Sequence, residues 1–185
     1  MSERREWMNQ GRANQDRDAR YADAARSYGA AIERLARGYE ADAELRRDLV
    51  QEIHAALWRS YGYFEGQCSE RSWVYRIAHN VAVTHLIARR RLKRESLAGL
   101  DEVELLPDSG DLEQEAAGRW LVEQLLATIH RLAPADRQVM LLYLEDLSAA
   151  EIADVTGMSP GAVAVRIHRI KALLAKPYAE QGARA

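Results

Sequence analysis

The 185-residue chain is short of the residues that interrupt helices, with four prolines and eleven glycines. Proline removes a backbone donor and glycine raises the entropic cost of ordering, so their scarcity in a chain dominated by alanine, leucine, arginine and glutamate favours an all-α fold. Cysteine is nearly absent: Cys68 stands alone, cannot close an internal disulfide, and gives no sign of an oxidising compartment. No apolar run approaches the roughly 18–20 residues that a membrane span requires. The N-terminus, MSERREWMNQGR, carries charge but no apolar h-region, so no secretory signal is expected. These absences predict a cytoplasmic protein with no membrane contact of its own.

Catalytic constellations are equally sparse. His54, His79, His85, His130 and His168 are scattered, and His79 and His85 are poorly spaced for one helical face. No acidic pair, nucleophile–base set or phosphate-binding glycine loop accompanies them. The expectation is a protein that is not an enzyme, with no catalytic residue, cofactor or metal.

The 48% hydrophobic share excludes wholesale disorder, and the length suits one medium domain or two small ones. The net charge of −2 conceals an uneven distribution. Residues 1–95 hold 18 Lys+Arg against 14 Asp+Glu, residues 96–118 hold none against 7, and residues 119–185 hold 8 against 7. A purely acidic stretch between two neutral-to-basic blocks is the pattern of a linker between domains. It also holds Pro107 and a Ser-Gly pair, and a short helix is expected only around Leu112–Ala117.

Residues 1–20 are polar, with Trp7 and Met8 as the only large apolar groups, and read as a flexible extension. Helical spacing starts at Tyr21 and runs to Ala36, with Gly38 ending or kinking the helix. In ADAELRRDLVQEIHAALWRSY, Leu45, Leu49, Ile53, Ala56 and Leu57 form an apolar stripe, while Asp48, Gln51, Glu52, Ala55 and Arg59 lie off it. YGYFEGQCSE, from Tyr61 to Glu70, reads as an aromatic loop. From Arg71 to Arg94 a helix follows whose core face is Val74, Ile77, Ala78 and Val81. Beside that face lie Trp73, Tyr75, Arg76 and Asn80, and a cationic run containing Arg89, Arg90 and Arg91 ends it. Flat aromatics can stack on bases and a basic cluster can neutralise phosphates; a core helix with a solvated basic end is the plainer alternative.

Beyond the linker, Leu121, Leu125, Leu126, Ile129 and Leu132 form another stripe, and Pro134 suits a first helical turn. Ser148 and Glu151 make a capping box. Gly157 suits a left-handed turn, Ser159 an N-cap and Pro160 the first turn of a second helix. That helix buries Val163, Ile167, Ile170 and Leu174 and turns Arg166, Arg169 and Lys171 outward. Helix, glycine turn and capped basic helix is a helix-turn-helix arrangement.

Three stretches in this order resemble sigma factors of the sigma-70 family, of the small extracytoplasmic-function (ECF) type: DLVQEIHAALWR, SWVYRIAHN running into ARRR, and LAPADRQVMLLYLEDLSAAEIADVTGMSPGAVAVRIHRIKALL. The resemblance implies a flexible extension (1–20), a region 2 domain (21–95), an acidic linker (96–118), a region 4 domain (119–178) and a tail (179–185). It implies that Asp48, Gln51, Glu52 and Leu57 dock on RNA polymerase core. It implies that Tyr63, Phe64, Gln67, Trp73, Tyr75, Arg76, Asn80, Arg89, Arg90 and Arg91 read and melt the −10 element. It implies that Ser159, Pro160, Gly161, Ala164, Arg166 and Arg169 meet the −35 element. The linker would thread the polymerase's RNA path, and a dedicated anti-sigma protein would restrain the factor. Thr84 stands where many relatives carry aspartate, a difference expected to affect a local cap. Ala162, Ala164 and Val165 stand where threonine, lysine and serine are frequent, so −35 reading is expected to lean on DNA shape, Arg166 and Arg169. A stand-alone helix-turn-helix regulator is the other function the pattern allows.

Overall fold

The computed structural model describes the backbone of residues 2–96 and 115–182, with side chains placed over 14–92 and 120–175. The acidic linker expected over 96–118 therefore lies mostly outside the described residues, as does the tail beyond 182. The described residues form seven helices: α1 (Ser2–Tyr39), α2 (Ala43–Ser60), α3 (Glu70–Ser96), α4 (Glu115–Arg131), α5 (Pro134–Leu144), α6 (Ala149–Thr156) and α7 (Pro160–Gly182).

Local chemistry accounts for most boundaries. Asp42 caps α2 by accepting from the amides of Glu44 and Leu45 at 2.9 and 3.0 Å. The Ser148–Glu151 capping box opens α6, and Gly157 closes it at φ 73°, a left-handed conformation that favours glycine. The Ser159 hydroxyl then accepts from the Ala162 amide at 3.2 Å to start α7. The first helix departs from expectation: it runs from Ser2 instead of starting at Tyr21. Long-range contacts hold the turn just before Tyr21. The Arg17 guanidinium lies 3.8 Å from the Trp58 ring centroid, the Trp58 indole N–H donates to Asp18 at 2.8 Å, and Arg20 donates to the Phe64 carbonyl at 3.1 Å.

Two cores result. In the first, α1, α2 and α3 enclose Ile32, Leu35, Leu49, Ile53, Leu57, Val74 and Ala78. In the second, Ile129 of α4 joins Val139, Leu142, Ile152, Val163 and Ile170 from α5, α6 and α7. Each of the buried Ile, Leu and Val side chains contributes about 1.5–3 kcal/mol relative to exposure, before entropy is counted. The two cores also touch: α3 packs on α6, and α1 on α4 and α5. A Cβ added at Gly38 would lie 2.4 Å from Leu141, so glycine permits that helix crossing. Arg137, only 2% exposed, bridges the halves by donating to the Ile129 and His130 carbonyls and, at 3.4 Å, to that of Tyr39.

Candidate polymerase and nucleic-acid interfaces

On α2, Asp48, Gln51, Glu52, Ala55 and Arg59 fall on one exposed face, opposite Leu49 and Ile53. Leu57 does not share that face. It is 1% exposed and belongs to the core, because a residue four positions after Ile53 repeats the inward stripe. The accessible part of the expected docking set is thus acidic and polar.

The loop after α2 is held from several sides. Phe64 sits between Tyr61, edge-on at 6.0 Å, and Trp73, at 5.2 Å. The Tyr61 hydroxyl donates to Glu70 at 3.1 Å, and burial together with that carboxylate pushes its pKa up. The Trp73 indole donates to the Ser60 hydroxyl at 3.0 Å. Gln67 staples the tip by donating to the Tyr63 carbonyl at 3.0 Å and accepting from the Glu65 amide at 3.1 Å, while Gly66 turns the chain at φ 82°. Tyr63 alone among these rings stands clear, 77% exposed. An exposed ring whose backbone is held by a fixed loop can stack on an unpaired base with little cost in ordering the chain.

The rest of the expected −10 set divides. Asn80 and Arg90 are exposed. The Thr84 hydroxyl bonds back to the Asn80 carbonyl at 2.8 Å, a local role in the helix. Arg89 pairs with Glu40, which His85 also approaches at 3.3 Å. Burial opposes ionisation of Glu40, but Arg89, the Asp42 amide and His85 outweigh it and hold its carboxyl below the usual range.

Tyr75 and Arg76 face the second half of the molecule, together with Arg71. Arg34 forks onto the Glu145 carboxylate with two bonds of 2.7 Å. The Tyr75 hydroxyl donates to the same carboxylate at 3.1 Å, and Arg71 donates to the Glu145 carbonyl at 2.5 Å. Arg76 donates to the Asp154 carbonyl at 2.6 Å. Tyr75 is 4% exposed, and burial, with the Glu145 charge adding to it, pushes its pKa up to about 12. Helical periodicity put Tyr75 beside the core face of its own helix; it could not show that a second domain covers it. Glu145, the centre of this cluster, was not marked by the sequence. It lies in the turn after α5, where Asp146 has φ 57°, and its partners are more than sixty positions away.

On α7, Ser159, Pro160, Gly161 and Ala164 are exposed, as is Val165 at 72%. Arg166 and Arg169 lie along the flank and share the Asp136 carboxylate of α5. Among the described residues, no group of histidine, cysteine and carboxylate side chains is placed to hold a metal ion, and no helix is long and apolar enough to cross a membrane.

A helical unit with an aromatic loop and basic helix, followed by a helix-turn-helix unit, defines a class of transcription initiation factor. Comparison with known proteins agrees. Residues 24–92 match Sigma-70 region 2, and residues 122–174 match Sigma-70, region 4. The chain is 31% identical over 142 residues to the RNA polymerase sigma-H factor of Pseudomonas aeruginosa, covering 73% of this chain and 74% of that protein. It is 32% identical over 157 residues to the ECF RNA polymerase sigma factor SigG of Mycobacterium tuberculosis, covering 72% of this chain and 41% of that protein. Its fold matches the sigma factor RpoE of Bartonella quintana, solved with the anti-sigma factor NepR, at a TM-score of 0.64 and 18% identity over 84% of this chain and 94% of that one. The chain belongs to the sigma-70 family of RNA polymerase sigma factors, and several of its relatives, SigG among them, are ECF sigma factors.

Proposed function

We propose that this sigma factor binds RNA polymerase core through the exposed face of α2, centred on Asp48, Gln51 and Glu52. The aromatic loop and α3 then read and open the −10 element, and α7 reads the −35 element. The region 2 unit spans 21–95 and the region 4 unit 119–178, and the acidic segment between them lies along the polymerase's RNA path. An anti-sigma protein restrains the factor, as the RpoE–NepR complex illustrates for a relative of the same fold. The protein works in the cytoplasm, beside the polymerase, and performs no catalysis of its own. The observation that carries this reading is the braced loop with Tyr63 projecting from it, at the junction of α2 and α3.

The test combines the full chain with core polymerase and a promoter library. Transcripts sharing an upstream sequence are expected. Tight promoter binding by the free protein, with no core binding, would establish a stand-alone regulator instead. Asp48→Ala with Glu52→Ala, both exposed, should weaken core binding by about 1–2 kcal/mol, on the order of tenfold, at unchanged melting temperature. Unchanged affinity would move the docking face elsewhere.

A further inference from the structure

The forward turns of α7 are chemically bare. Gly161, Ala162, Ala164 and Val165 are exposed and carry no side-chain donor. Such a surface can touch thymine methyls but cannot read the hydrogen-bonding edge of a base. Beyond those residues the helix carries Arg166, His168, Arg169 and Lys171; Lys171 reaches the Tyr143 hydroxyl at 3.3 Å, whereas Arg166 and Arg169, one helical turn apart, both converge on Asp136. Its Oδ1 accepts from Arg166 at 2.5 Å and from Arg169 at 2.9 Å, while Oδ2 accepts from Arg169 at 2.8 Å. The Asp136 side chain is 13% exposed, against 31% for Arg166 and 60% for Arg169. It occupies the first turn of α5, where the helix dipole favours a carboxylate.

We propose that Asp136 is a specificity-determining positioning residue: it braces Arg166 and Arg169 so that they present fixed donors to the −35 element. The proposal rests on the reading that α7 meets that element. Each guanidinium has five N–H donors, so both arginines keep donors for DNA after bonding to Asp136. Two cations share one anion, leaving a single net positive charge at this flank. Without the brace, two long flexible side chains would find the phosphates of any sequence, and phosphate contacts carry affinity without sequence information. The carboxylate thus acts twice, restricting where the donors point and lowering attraction to arbitrary DNA. A tie that merely joined α5 to α7 would affect melting but not the ratio of matched to unmatched binding.

The test uses holoenzyme made from the full chain and core polymerase. Its DNA is the promoter the parent selects from a library, with the −35 element intact or scrambled. For Asp136→Ala, tighter binding to the scrambled DNA, a selectivity ratio reduced about tenfold and a salt dependence steeper by about one unit of log–log slope are expected. Asp136→Asn keeps the shape and one acceptor but loses the charge; it should shift the same way by less, and it decides the case if the alanine variant fails to fold. A folded Asp136→Asn or Asp136→Ala holoenzyme with parental ratio and slope would overturn the brace. The Arg166→Ala, Arg169→Ala double variant separates the premises. If it loses −35 selectivity while the Asp136 variants keep theirs, α7 reads the element unaided. If it keeps selectivity, these arginines do not read the element and the brace is overturned with them, whatever the rest of α7 contacts.

Discussion

His79 is fully buried, its Nδ1 is 2.9 Å from the Tyr39 hydroxyl, and its Nε2 has no hydrogen-bond partner. Burial penalises the imidazolium and pushes the pKa down from 6.5 to about 3. The folded state therefore refuses a proton that the unfolded chain accepts. Its contribution to stability is complete above pH 6.5 and is lost as pH falls from there towards 3. Within that window the loss is about 1.4 kcal/mol per pH unit. Glu40, held below its ordinary 4.5, adds a loss of the same sign at the acidic end. Urea unfolding of His79→Gln is expected to show a flatter stability profile between about pH 6.5 and 4.5; a profile parallel to the parent's would mean that the buried ring carries a proton. The sequence marked His79 as unsuited to a shared metal or catalytic site, yet its burial and its partner forty positions away were beyond reach. Leu57 is the opposite case: its periodicity placed it on the apolar stripe, where it is buried, and only the resemblance put it in the docking set.

At the scale of elements, Gly38 sets two effects against each other. Alanine there would favour the last turn of α1 by up to about 1 kcal/mol. Its Cβ, however, would meet Leu141 at 2.4, 2.8 and 3.1 Å, and Leu141 is 6% exposed, with little room to swing away. Overpacking costs about 1–3 kcal/mol, so Gly38→Ala should be net destabilising, read as a lower urea midpoint. A raised midpoint would show that Leu141 yields. The sequence indicated a helix end near Gly38, and α1 does end at Tyr39. Helix starts marked by Ser148–Glu151, Pro134 and Ser159–Pro160 were legible because caps are local and act within about one turn. The turn of α1 before Tyr21 was not, since Arg17, Asp18 and Arg20 are secured by Trp58 and Phe64, brought close only by folding.

Across the whole molecule, the contacts around Glu145 close the two halves over part of the surface assigned to promoter opening. Arg34 is 59% exposed, so its fork is worth at most about 1 kcal/mol. The buried Tyr75 hydroxyl and the Arg71 bond add to it, and the set acts together. We expect Glu145→Arg to place like charge against Arg34 and Arg71 and to separate the halves. Small-angle scattering should then report a larger radius of gyration, and the free protein should bind forked −10 DNA more tightly. Unchanged dimensions and unchanged DNA affinity would mean that packing of α3 on α6 suffices without the polar contacts.

What the sequence determined alone is local in origin: an all-helical chain, the stripes that became two cores, the caps of α6 and α7, and the order of motifs that marks the sigma-70 family. Spacing along one helix and hydrogen bonds within one turn need no distant partner. The tertiary structure decided which polar and aromatic side chains remain free. Tyr63 stands clear while Phe64 is held between Tyr61 and Trp73, Tyr75 is covered by Glu145, and Arg166 and Arg169 are tied to Asp136. Charge and ring identity are properties of a residue, but availability depends on which carboxylate or aromatic the fold brings within a few ångströms.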